Sequence, residues 1–205
     1  MKQLALSYDA NITTELAAPT LHEFVWLDIE TTGLLDANPG GAYSDGRILE
    51  VAFVLADDGV DGTFEPVTEE SIVIAYDTAL TMSDYVRKMH TKNGLLAACR
   101  LTPDFPDEAT ADDYLCFLLD QHCGPDSGFT LAGNSVHFDL DWLRARMPKS
   151  AARFSHRVFD VSTLLRTAGA WGIGVNDRGE PAHRALDDVH ESLRLAKAWR
   201  DAVRA

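Results

Sequence analysis

The chain has 205 residues, 46% of them hydrophobic, and a formal net charge of −14. That length suffices for one domain with a substantial core, and no apolar run approaches the roughly 20 residues a membrane-spanning helix needs. The acidic balance argues against a long basic groove of the kind that neutralises extended nucleic acid, and favours a small substrate held in a pocket.

Residues 1–22 show no strong period and read as an N-terminal extension, loosely ordered or loosely docked, leaving the domain to residues 23–205. The opening Met1 to Leu6 is too short for a signal-peptide core, so a cytoplasmic protein is expected. Cys99, Cys116 and Cys123 have no CxxC spacing and read as buried thiols of a reducing compartment. Phe24 to Ile29 predicts a buried strand, Ile48 to Ala56 a second ending at the turn Asp57-Asp58-Gly59, and Ile72 to Ala75 a short third. Asp36 to Tyr43, between the first two, is loop by composition. Ala111 to His122 carries Tyr114, Leu115, Leu118 and Leu119 at helical spacing. Phe129 to Ala132 predicts a strand, and Phe138 to Met147 a helix stopped by Pro148. Val158-Phe159 predicts a short strand, followed by a helix from Ser162 to Ala168. Residues 172–182 read as loop, and a last helix runs from Ala185 to Val203. Early strands followed by mixed helices and strands predict one α/β domain around a mixed sheet.

Asp28 and Glu30 stand at i and i+2 of an otherwise apolar strand, so both side chains leave the same face, about 7 Å apart at their attachment points. Two carboxylates there repel each other and lose hydration, a conflict that a divalent cation resolves. Two solvated acids at the wet end of a strand would read the same way. Asp139 follows a strand, the turn Gly133-Asn134-Ser135 and the start of a helix, which points it back toward the sheet. The alternative makes Asn134 or Ser135 an N-cap and Asp139 a surface acid. In His183-Arg184-Ala185-Leu186-Asp187-Asp188, five residues of helix turn through about 500°, so His183 suits the loop before the helix and an acid its opening turns. A histidine on a loop beside carboxylates is placed to act as a general base. Spacing alone does not choose between Asp187 and Asp188.

The order of these pieces is similar to that of the DEDDh 3′→5′ exonucleases. The flanking segments Asp28 to Leu34, Met82 to Tyr85, His90 to Leu95, Phe159 to Thr163 and His183 to Asp188 resemble those of oligoribonucleases over residues 24–200. The resemblance implies a ribonuclease H-like mixed sheet flanked by helices. It implies metal-dependent hydrolysis of short oligoribonucleotides, down to dinucleotides, to nucleoside 5′-monophosphates. Two divalent cations, Mg²⁺ or Mn²⁺, would be held by Asp28, Glu30, Asp139 and Asp188, with His183 as the base, so the resemblance also selects Asp188 over Asp187. It implies Leu34 as a wedge between bases, and Tyr85 at a position where the family usually has a stacking Trp. Ser135, Arg157, Ser162 and His90 fall where the family caps the 5′ phosphate, and a homodimer is implied. For Leu34 and Tyr85 the residues alone equally suggest core packing. The chain departs from the pattern at His156, where a Tyr reaching into the partner's site is common, in the long 36–46 loop and in the N-terminal extension. The competing readings are a DEDDh exonuclease of longer RNA or DNA, and a nucleic-acid-binding module without catalysis.

Overall fold

The computed structural model describes residues 24–35, 46–57, 64–76, 79–101, 107–124, 128–175, 179 and 182–204. The N-terminal extension, the 36–45 loop and the turn after Asp57 lie outside the described residues. Five strands, β1 (Phe24–Thr31), β2 (Ile48–Asp57), β3 (Glu65–Val73), β4 (Phe129–Gly133) and β5 (Phe154–Asp160), form one sheet in the order β3-β2-β1-β4-β5. β1 pairs antiparallel with β2 and β2 with β3, while β4 runs parallel to both β1 and β5. The sheet is therefore mixed, as expected.

The alternation of β1 divides the core. Val25, Leu27 and Ile29 pack with Val51, Phe53 and Leu55 of β2 against α3 (Glu108–Cys123), α4 (His137–Arg146) and Met147. Trp26 faces the other way, with Val54 and Ala132, against α6 (Val161–Trp171) and α7 (Ala185–Arg204). Asp28 and Glu30 continue the Trp26 face by strand parity, so the sheet delivers both acids to the side that α7 covers. A smaller cluster of Leu49, Leu95 and Cys99 secures α2 (Leu95–Leu101), which follows α1 (Asp84–Lys92). Cys99 and Cys123 are buried and Cys116 is half-buried, all as free thiols.

Several boundaries differ from the sequence reading. The third strand begins at Glu65 and ends at Val73, ahead of Ala75. Its first half, Glu65-Pro66-Val67-Thr68-Glu69-Glu70, is a polar edge strand whose composition hides it from an apolar search, and its charges and Pro66 protect the open edge. α1 and α2 were not expected. α1 fully buries only His90 along its nine residues, with Val86 and Met89 half-buried on the same face, and Ser83 caps it by accepting the Val86 N–H at 3.3 Å. Pro148 ends α4 and also opens the short α5 (Pro148–Ala151), where a missing N–H costs nothing. β5 is longer than the expected Val158-Phe159, and α6 continues to Trp171, stopping at Gly172 with φ 69°.

Candidate active site

β1 and β4 pair only from Phe24 opposite Thr130 to Trp26 opposite Ala132. At Gly133 the two chains pass so closely that a Cβ would lie 2.7 Å from the Leu27 carbonyl oxygen. There β4 has parted from β1, while still paired with β5 at Gly133 opposite Asp160, and the Ile29 N–H donates to the Asp139 Oδ1 at 3.0 Å instead of to a strand. The opening so made is a cleft of about 230 Å³ lined by Asp28, Glu30, Asn134, Ser135, Phe138, Asp139, His183, Asp188 and Glu191, among others. Ligand atoms of Glu30, His183 and Asp188 all lie within 4.8 Å of one another. His183 precedes α7, as its spacing required, with φ 54°. Asp188 lies in the first turn of α7 and accepts the Ala182 N–H at 3.3 Å. Asp187 is exposed and outside the cleft lining, whereas Asp188 lines the cleft.

The site is short of positive charge. Burial, then Asp28, Asp188 and Glu50, pushes the Glu30 carboxyl up to about 9. Burial and then Asp28 hold Asp139 well above the ordinary carboxylate range, against the pull of the Ile29 N–H. Burial raises Asp188 as well. Carboxylates gathered from β1, α4 and α7 and kept from ionising together fit divalent cations, which supply the missing charge.

A second pocket of about 630 Å³ adjoins the cleft, sharing Ile29, Glu30 and Phe138 with it and adding Thr31 to Leu34, Ser83, Tyr85, Val86 and Met89. Leu34 is 79% exposed and Tyr85 73%, which removes core packing as their role. Ser135 lines the carboxylate cleft, whereas Ser162, Arg157 and His90 line neither pocket. Ser162 is joined to Ser135 through Asp160, whose Oδ1 accepts the Ser135 N–H at 3.1 Å, the Ser162 N–H at 2.8 Å and the Ser162 hydroxyl at 2.6 Å. Arg157 and His156 are exposed on β5. His90 is fully buried, and its Nε2 lies 3.0 Å from the Thr31 carbonyl, to which it must donate. Burial lowers its pKa, so the 3.8 Å approach to Glu30 is a contact with a neutral ring rather than an ion pair.

Sequence reasoning assigned no role to Glu50, Asn93, Phe138 or Asp160. Glu50 had a signal: a lone acid inside the apolar run Ile48 to Ala56. Asn93 lay within the resembling His90 to Leu95 segment, but its partner is remote in sequence and its role could not be read there.

The family model of the RNase_T exonucleases matches residues 25–196. The nuclease domain of 3′hExo, described as a DEDDh family member bound to rAMP, superposes with a TM-score of 0.53 at 13% identity, over 90% of this chain and 94% of that one. Sheet order, cleft and family match together define an exonuclease domain of ribonuclease H-like architecture. The oligoribonuclease of Corynebacterium diphtheriae is 35% identical over 194 residues, covering 92% of this chain and 86% of its own. That of Chromobacterium violaceum is 32% identical over 191 residues, covering 90% and 97%. The chain belongs to the oligoribonuclease family of these exonucleases. DEDDh exonucleases are dependent on divalent metal, which agrees with the donor set of the cleft.

Proposed function

We propose that this protein is a divalent-metal-dependent 3′→5′ exoribonuclease that hydrolyses short oligoribonucleotides, down to dinucleotides, to nucleoside 5′-monophosphates. The observation that carries this reading is the convergence of Asp28, Glu30, Asp139, His183 and Asp188, from separate stretches of the chain, on one cleft that adjoins a second pocket. Asp28, Glu30 and Asp188 would hold one cation and Asp28 and Asp139 the other, with Mg²⁺ or Mn²⁺ suited to all-oxygen donors. When bound, such a pair stabilises charge on both the attacking and the leaving oxygen.

The residues of the chain do the rest. His183 receives the proton of the attacking water on an imidazole nitrogen, from a position beside Glu30 and Asp188. Leu34 and Tyr85 offer flat and apolar surface to the bases, and their exposure in the free protein is what a stacking role requires. Ser135, joined to Ser162 through Asp160, receives the 5′ phosphate together with the exposed Arg157 of β5, whose guanidinium fork is well matched to it. His90 supports Thr31 from beneath the pocket. The protein is read as a cytoplasmic homodimer, with His156 at the position where the family commonly has a Tyr that reaches into the partner's site. Among the described residues no helix is long and apolar enough to cross a membrane.

The deciding experiment is a substrate-length series, from 5′-phosphorylated dinucleotides to a 20-nucleotide RNA, with Mg²⁺ or Mn²⁺ and with chelator. The expected outcome is metal-dependent turnover with kcat/KM highest for the shortest substrates. Equal kcat/KM at both lengths would leave an exonuclease without a closed 5′ pocket, and metal-independent turnover would defeat the reading altogether.

A further inference from the structure

Glu50 sits in β2 between Leu49 and Val51 and is 1% exposed. A carboxylate in that position persists only when its charge and lone pairs are satisfied. Arg184 donates to it twice, Nε to Oε2 at 2.9 Å and Nη2 to Oε1 at 2.8 Å. The Ala185 N–H adds a bond to Oε2 at 3.1 Å and the Ser71 hydroxyl one to Oε1 at 2.8 Å. A two-pronged guanidinium contact fixes direction as well as distance, so the chain is pinned to the sheet directly after His183.

The other side of His183 is pinned too. The Asn93 side-chain amide donates to the His183 carbonyl oxygen, while its Oδ1 accepts the Leu95 N–H at 3.0 Å. Asn93 is the C-cap of α1, so this amide is itself held between two helices. Between the two pins His183 adopts φ 54°, a conformation that a non-glycine residue keeps only where its surroundings impose it. Neither Glu50, Arg184 nor Asn93 lines either pocket, so none of them is placed to touch substrate.

We propose that Glu50, acting through Arg184 and Ala185, and Asn93, acting on the His183 carbonyl, are positioning residues that clamp the main chain on both sides of His183 and hold its imidazole beside Glu30 and Asp188. The inference rests on His183 being the general base. Released from the clamp, the residue relaxes toward negative φ, and its ring turns away from the cleft while the carboxylates stay on β1, α4 and α7. The clamp thus separates proton transfer from substrate and cation binding.

The test introduces Asn93→Asp and Glu50→Gln, each into the native chain and into a His183→Ala chain. Asn93→Asp keeps the acceptor for Leu95 and removes the donor to His183. It serves as the second arm if Glu50→Gln, which breaks a buried pair, does not fold. Measured for each are kcat and KM on a 5′-phosphorylated dinucleotide, Mn²⁺ affinity by titration calorimetry without substrate, and Tm. In the native background kcat falls by about 10–100-fold, the scale of a misplacement near 1 Å. KM and Mn²⁺ affinity stay within about twofold, and in the His183→Ala background kcat falls no further, because the group being positioned is gone. Losses of equal size in both backgrounds would mark a merely structural role and overturn the inference, as would a full rate in Asn93→Asp. A His183→Ala protein that keeps its rate overturns the general-base assignment and the clamp with it. A slow His183→Ala beside fully active clamp variants overturns the clamp alone.

Discussion

Glu30 and Glu50 stand directly opposite each other in the β1–β2 register, both buried, yet their carboxyls are driven in opposite directions. Glu30 is pushed up to about 9 by burial and by the acids around it. Burial acts on Glu50 in the same sense, but Arg184, Ser71 and the Ala185 N–H outweigh it and hold that carboxyl below its ordinary value. One member of the pair already has its cation inside the protein, and the other lacks one.

A pH dependence follows for the protein stripped of metal. Unfolded, Glu30 loses its proton near 4.5, and folded it keeps it to about 9. Between those values the folded state binds more protons, so stability falls as pH rises, by up to about 1.4 kcal/mol per pH unit. Glu50 contributes with the opposite sign, but only in acid, where its carboxylate is lost. Tm in chelator should therefore decline from pH 5 to pH 8.5, and added Mn²⁺ should flatten the curve by engaging the ionised form. A level Tm in chelator over that range would contradict the crowding of the site.

Asp28→Asn and Asp188→Asn should each abolish turnover, because loss of one donor removes several kcal/mol of transition-state stabilisation. Asp28→Asn also relieves Glu30 of its largest charge repulsion, so at pH 8 the metal-free variant should melt higher than the parent. Near-normal rates with Mg²⁺ or Mn²⁺ would remove these residues from the metal site.

For His183→Ala the expected loss is about 10²–10⁴-fold in kcat, the usual scale for a general base, with Mn²⁺ binding retained. If activity is lost only in step with Mn²⁺ affinity, His183 is a ligand instead, a role its distance to Glu30 and Asp188 also allows.

Tyr85→Ala should raise KM for a dinucleotide by roughly 5–150-fold, from about 1–3 kcal/mol of stacking per base, and Leu34→Ala should raise it through lost apolar contact. Both side chains are exposed in the free protein, so Tm should hardly move. A large drop in Tm with unchanged KM would return them to packing.

How much of this was legible varies by element. The β1 strand and its acid pair could be read directly, since period 2 and apolar flanks leave little choice. β3 could not, because an edge strand needs only one covered face and Glu65 to Glu70 carry charge. α1 was hidden because it is only nine residues long and its one fully buried side chain is a histidine, held by tertiary contact with Thr31. At the site, the types and order of Asp28, Glu30, Asp139, His183 and Asp188 were visible. The means of gathering them was not, since it depends on where β4 parts from β1 and on Glu50 and Asn93 meeting a segment some 90 to 135 residues away.

The bond from the Ile29 N–H to Asp139 bears on how an inactive form of this protein should be made. Asp139 takes the place of an absent strand at the seam where β1 and β4 diverge, so its carboxylate is both a proposed metal donor and a stitch in the sheet. Asp139→Ala strips metal and also orphans a buried amide, at about 1–3 kcal/mol, so any defect it shows is a mixture. Asp139→Asn keeps an oxygen for Ile29 and removes only the charge. A substrate trap for crystallisation or pull-down is better built on the amide, and Tm should separate the two: close to the parent for Asn, clearly lower for Ala.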